Sequence, residues 1–241
     1  MIAFLVVGTF AIVQSLFGVG LLVFGTPTLL LLGYSFPDTL AILLPASLAV
    51  SALQLWKGPE TDRKFAAQFF IWCLVPLIVG LALVLALHLK TSLNFLVAII
   101  LIIFVVLRAT PKSQERSRCF ILGNQQIWLM LMGFVHGLTN LGGGLLTILA
   151  SSLYREKEQI RHIVAVCYAC FAAIQLAVLA VLTPDVFGWM QFAYAAASAI
   201  VFLCIGQHVF RWISAAVFHH LFTALMATYA MLLLFQVFGA L

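Results

Sequence analysis

The sequence predicts an all-α integral membrane protein made of two inverted-topology repeats, each a glycine-broken helical hairpin followed by three transmembrane helices. Three observations carry that prediction. The first is composition: of 241 residues, 65% are hydrophobic and only 8% are charged, with a mean hydropathy of +1.19. Soluble domains carry roughly 25% charged residues, so this chain cannot cover itself with a water-facing surface. The second is a pair of glycine clusters, Gly18-Val19-Gly20 and Gly142-Gly143-Gly144, inside two overlong apolar runs. The third is the placement of lysine and arginine.

The first run, 2–33, opens the chain without a basic segment before its apolar stretch. It therefore reads as a membrane segment and not as a cleaved leader. It is long for one crossing, and glycine is poor inside a helix and permits sharp turns. The expected element is a hairpin of two short helices. At about 15 residues each, and 1.5 Å rise per residue, each half covers about 22 Å. That falls short of a hydrocarbon core of about 30 Å, so the bend should face protein or water. The runs 37–56, 66–88 and 92–108 read as single helices, and Pro37-Asp38 gives the first of them a helix-start signal.

A basic linker, 109–125, follows. The run 126–153 is again long and glycine-broken, and reads as the second hairpin. Runs 160–182, 187–209 and 212–240 complete the second half, with Pro184-Asp185 before the seventh run. The repeats are thus 1–108 and 126–241.

Charge placement separates two topologies. If all eight runs cross once, the twelve Lys and Arg residues divide without a clear bias. If runs 2–33 and 126–153 enter and return, eleven fall on one face: Lys57, Arg63, Lys64, Arg108, Lys112, Arg116, Arg118, Arg155, Lys157, Arg161 and Arg211. Lys90 stands alone opposite. Short cytosolic loops carry the excess of basic residues, so the hairpin topology is preferred, with both termini outside the cell membrane and the 109–125 linker in the cytosol. Residues 15–22 (SLFGVGLL) align with 139–146 (TNLGGGLL), and, after a three-residue gap, Ser47 aligns with Tyr168 and Gln54 with Gln175. A hairpin plus three crossings inverts the second half against the first. Inverted repeats with discontinuous helices at matching positions hold substrate between the repeats, near the bilayer midplane.

The candidate site follows from that geometry. A helix restarting after each glycine cluster presents free N–H groups and partial positive charge, which suits an anion. Gln14 and Ser15 precede Gly18 and Gly20 in the first hairpin. Thr139 and Asn140 precede Gly142, Gly143 and Gly144 in the second. Ser47, Ser51 and Gln54 share one helix face, as do Tyr168 and Gln175. Such a polar stripe either donates to substrate or bonds a neighbouring helix. His136, one turn before Asn140, is a candidate for proton coupling or for a neutral hydrogen bond in the bundle. The acidic residues sit in loops or helix starts, which leaves sodium coordination to backbone carbonyls. Cys73, Cys119, Cys167, Cys170 and Cys204 form no paired framework. Cys167 and Cys170, though spaced Cys-x-x-Cys, read as packing within an apolar helix. No metal ligand set, nucleotide motif or catalytic constellation is present, so no cofactor, metal, enzymatic activity or nucleic-acid partner is expected.

The segments 18–28 (GVGLLVFGTPT) and 136–146 (HGLTNLGGGLL) resemble the repeat signature of the TauE/SafE family of sulfite and organosulfur anion exporters, and the resemblance extends over essentially the whole chain. It implies a transporter in the cell inner membrane for small sulfur oxyanions or sulfonates. The first copy has a single Gly-x-Gly where the second has three glycines. The expected function is a secondary transporter that moves such an anion outward by alternating access. A passive anion channel built on the same glycine hairpins is the alternative. The expected partners are the small anion and the lipid bilayer, with homo-oligomerisation left open.

Overall fold

The computed structural model describes residues 1–56, 62–87, 90–209 and 215–239. Among them the protein is helical throughout and contains no strand. Helix α1 (Ile2–Phe17) stops where Gly18 takes the left-handed conformation (φ 74°), its N–H bonding Gln14 O at 2.8 Å. Glycine enters that region without steric cost. Helix α2 (Leu21–Leu31) follows, then α3 (Phe36–Leu55). Ser35 caps α3, its hydroxyl accepting from Asp38 N at 3.2 Å, with Pro37 and Asp38 in the first turn. The helix start read at Pro37-Asp38 is therefore present.

Helix α4 (Arg63–Ala86) is capped by Asp62, and α5 (Lys90–Ala109) and α6 (Pro111–Gly123) meet at 102°. The segment expected as a basic linker is thus mostly helix: Thr110 caps α6, accepting from Ser113 N at 3.1 Å, with Pro111 at its start. Helices α7 (Gln125–Thr139), α8 (Gly143–Leu153) and α9 (Lys157–Leu182) follow. A short 3-10 turn, Pro184–Val186, then holds Asp185, so the next helix, α10 (Met190–Val201), starts later than Pro184-Asp185 suggests. It passes through a π turn at Phe202–Gly206 into α11 (Gln207–Val209), and α12 (Ala215–Gly239) ends the described chain.

Among the described residues, four helices are long and apolar enough to cross a bilayer: Phe36–Leu55, Arg63–Ala86, Lys157–Leu182 and Met190–Val209. The bent α5–α6 pair adds a fifth candidate. The outer faces carry exposed apolar side chains such as Ile71, Val75, Ile103, Val106, Phe192 and Phe235, a surface suited to lipid and costly in water. Helices α1, α2 and α8 are apolar but short. Their side chains are largely buried, and α2 has Pro27 inside it. This is a multi-pass membrane protein.

Packing pairs α4 with α7, α5 with α12, and α3 with both α9 and α10. The α4–α7 crossing is the tightest. A Cβ on Gly133 would overlap Cys73 O, one on Gly137 would overlap Leu77 O, and one on Gly80 would lie 2.7 Å from Phe134 O. Backbones meet directly there, as small residues at i and i+4 allow in membrane helices. The other notable approach lies between α1 and the π turn, where Gly206 faces the Ser15 hydroxyl.

Of the basic residues assigned to one face, Lys57 and Arg211 lie outside the described residues, as does the side chain of Lys90, assigned to the opposite face. Arg63, Lys64, Lys112, Arg116, Arg155 and Lys157 are exposed, whereas Arg108 is buried at 6% exposure. It does not belong to the solvated basic face, because its side chain turns inward between helices.

Candidate functional site

Two helix breaks organise the buried polar groups, and they are built alike. At the first, between α1 and α2, the Gln14 carbonyl accepts the Gly18 N–H. Its side-chain amide lies 3.1 Å from Ser47 O, Ser47 Oγ and Ser51 Oγ of α3, and Ser47 Oγ donates back to Gln14 Oε1 at 3.1 Å. Gln54 donates to Gln14 O at 2.9 Å. Ser15 donates to Ala11 O at 2.6 Å. Gly20 sits against the backbone of Phe10 and Gln14, where a Cβ has no room. Apart from Gln54 Oε1, which has no partner, these groups satisfy one another.

At the second break, between α7 and α8, Asn140 takes the left-handed conformation (φ 63°), and its N–H bonds His136 O at 2.7 Å. Asparagine is among the few residues other than glycine that enter this region readily. The break itself is Asn140-Leu141-Gly142, and Gly143 and Gly144 already belong to the first turn of α8. Gly18 therefore corresponds structurally to Asn140 and Gln14 to His136, a register two residues away from the sequence alignment of the glycines. The glycines of α8 have another purpose. A Cβ on Gly143 would overlap the Tyr168 hydroxyl and lie 2.7 Å from Val23 Cγ2, and a Cβ on Gly144 would overlap the Phe104 ring.

His136 is fully buried between the break and α9. Gly142 N donates to its Nδ1 at 3.0 Å, so that nitrogen carries a lone pair. The proton of the neutral ring is then on Nε2, which donates to Gln175 Oε1 at 3.1 Å. A reversed Gln175 amide would set donor against donor, so the Gln175 Nε2 group must point away from the ring. It has no partner, and neither do Tyr168 Oη and Asn140 Oδ1. Phe171 covers the imidazole, with ring centroids 4.0 Å apart. Thr139 caps locally, donating to Val135 O at 2.7 Å and accepting from Leu141 N.

The breaks also meet each other. Asn140 Nδ2 donates to Thr26 Oγ1 of α2 at 2.9 Å, and α2 lies against α8. The candidate residues thus form two connected groups. Gln14, Ser15, Gly18, Gly20, Ser47 and Gln54 surround the first break, and His136, Thr139, Asn140, Gly142, Gly143, Gly144, Tyr168 and Gln175 surround the second. Thr26 belongs with the second group, although nothing but its place in 18–28 singles it out along the chain. Arg108 was also missed, because an arginine at the end of an apolar run looks like an orientation signal. Cys167 is buried and Cys170 half-buried within α9, with no disulfide.

Chemically, two of the three unpartnered atoms in this second group, Gln175 Nε2 and Tyr168 Oη, can donate, the third, Asn140 Oδ1, accepts, and no buried counter-charge accompanies them. Every described Asp and Glu is exposed, and no group of three or more potential metal-ligating side chains is present among the described residues. Unpartnered buried donors cost about 1–3 kcal/mol each, and an acceptor-rich ligand would offset that cost. No curated protein and no solved structure matches the chain. One family model does, over nearly its whole length: Sulfite exporter TauE/SafE, at residues 2–233. The glycine-broken segments at residues 18–28 and 136–146 both fall within the matched span, and the chain belongs to the TauE/SafE sulfite exporter family of membrane transporters.

Proposed function

We propose that the protein is a secondary transporter that exports a small sulfur-containing anion, sulfite or an organosulfonate, across the cell inner membrane by alternating access. The observation that carries this reading is the pair of fully buried, unpartnered donors, Gln175 Nε2 and Tyr168 Oη: the hydroxyl lies against Gly143 at the start of α8, and Gln175 is joined to the same break through His136. An anion there would accept from both and from the helix terminus. Charge-assisted hydrogen bonds of this kind are about twice as strong as neutral ones. The first break, with its polar groups paired to one another, serves as the scaffold of the site.

The inverted-repeat architecture is part of the proposal. Its support is the correspondence of the two breaks and of the packing. The contact of α4 with α7 has its counterpart in α10 with α1, that of α3 with α10 in α9 with α4, and that of α2 with α3 in α8 with α9. Each half would be a hairpin plus three crossings, with both termini periplasmic. Reporter fusions at either terminus should read periplasmic and a fusion within 109–125 cytosolic. A cytosolic N-terminus would overturn this topology.

His136 supplies a route for proton coupling. Its Nδ1 cannot take a proton while Gly142 N donates to it. Protonation therefore requires Gly142 N–H to turn away, which frees a backbone donor for the anion as the ring gains positive charge. Proton and anion would then be bound together. Purified protein in liposomes, offered sulfite, sulfate, chloride and a small sulfonate under an imposed pH gradient, tests both parts. The expected result is saturable movement of one sulfur anion that responds to the gradient, and His136→Gln should keep downhill flux while losing that response. Fast, unsaturable movement of every anion would identify a channel instead.

A further inference from the structure

We propose that Arg108 sets the anion preference of this transporter, by holding a buried guanidinium at the junction of α5, α8 and α12, one helical turn from the glycines of the second break. This rests on the sulfur-anion reading above. Among the described Lys, Arg, Asp and Glu residues, Arg108 alone is buried. A guanidinium stays charged in any protein environment, and charged groups within the membrane face the bundle interior and mark substrate pathways.

Its contacts fix where that charge acts. Arg108 Nη1 donates to Thr147 Oγ1 of α8 at 3.2 Å, and Nε lies 3.5 Å from Thr223 Oγ1 of α12. Thr147 in turn donates to Gly144 O at 2.9 Å. One turn earlier on α5, Phe104 lies against Gly144 itself. Residues 104 and 108 share a helix face, so this face of α5 follows α8 from its glycine start to Thr147. Three residues of helix rise, about 4.5 Å, separate Gly144 from Thr147. Gln114 donates to Arg108 O at 2.9 Å, which fastens the α5–α6 bend at the same point. The positive charge therefore lies alongside the helix whose N-terminus borders Tyr168, in a low-dielectric interior where charges act more strongly than in water. A planar fork of donors also discriminates geometrically among anions: it matches an oxyanion with two oxygens better than a spherical halide.

The test compares wild type, Arg108→Gln and Arg108→Lys in liposomes, reading the half-saturation for sulfite, the sulfite-to-chloride preference and the maximal flux. Arg108→Gln should raise half-saturation about tenfold or more, the scale expected for losing a charged hydrogen-bonding partner. It should also flatten the preference, with maximal flux changed much less. Arg108→Lys keeps the charge without the fork and should fall between the two, losing preference more than affinity. A purely structural tie would instead lower maximal flux and protein yield in both variants at unchanged half-saturation and preference, and that pattern would overturn the proposal. If Arg108→Gln does not fold, Arg108→Lys decides: wild-type preference in that variant refutes the assignment. A wild type that moves and binds no anion of the panel refutes the transport reading, and Arg108's assignment with it.

Discussion

Gly143→Leu should reduce anion flux in liposomes to the level of empty vesicles. The Cβ alone would overlap the Tyr168 hydroxyl and come within 2.7 Å of Val23 Cγ2, and leucine adds three further carbons to the same space. Gly143→Ala isolates the first part of that effect. Overpacking of this kind costs about 1–3 kcal/mol, so the alanine variant should remain folded with a lowered thermal midpoint. Removing the opposing oxygen with Tyr168→Phe in the same chain should restore much of the midpoint, because the closest overlap is then gone. Flux should recover only in part, since the proposed donor has been removed with the clash. Midpoint and flux recovering together to wild-type values would mean that the Tyr168 hydroxyl takes no part in transport. No recovery of the midpoint would mean that the overlap is not what limits Gly143.

Gly137→Val is expected to leave almost no folded protein in the membrane. At this crossing the atoms that a side chain would meet belong to the α4 backbone, Leu77 O and, at 2.8 Å, Leu81 N. They cannot move aside as a side chain can. The helices would have to separate, opening the α4–α7 interface along the length held by Gly80, Gly133 and Gly137. The cost should reach at least the upper end of overpacking penalties, about 3 kcal/mol. Yield of monodisperse protein in mild detergent measures it. Gly123→Ala provides the contrast: nothing lies within 4 Å of its Cβ position, so yield should match or slightly exceed wild type, given alanine's better helix propensity. Equal yields for the two variants would refute the close crossing.

Helix positions were largely legible in the sequence because a bilayer imposes strong rules on composition and length. Runs 37–56 and 160–182 became α3 and α9 with ends shifted by a few residues. The breaks were legible as glycine clusters, but the register of the second was not. Three glycines drew attention to 142–144, whereas Asn140 supplies the left-handed turn, and two of the glycines answer to Tyr168 and Phe104 across the interface. Nothing within residues 136–146 reports those distant partners. Pairing Gln14 with His136 required the three-dimensional correspondence of Gly18 and Asn140, since the two side chains share no chemical likeness. Gly133 and Gly137 passed as part of an apolar run for a similar reason: their significance lies in the helix they face. Arg108 was misplaced because a sequence gives position along the chain and not the direction in which a long side chain turns.

The unequal saturation of the two breaks has a thermodynamic consequence. Around Gln14 the polar groups are occupied by one another, so solutes have little to gain by binding there. Around Gln175 and Tyr168 the donors are unoccupied, and on the proposed reading an anion that reaches them favours the conformation that binds it. A ligand at a hundred times its dissociation constant shifts such an equilibrium by about 2.7 kcal/mol, enough to make one conformation dominant. On the proposed reading, the anion of the surrounding buffer therefore belongs to the state of the protein. Chloride, sulfate and sulfite solutions should hold different mixtures of conformations, weighted by how well each anion fills the second break.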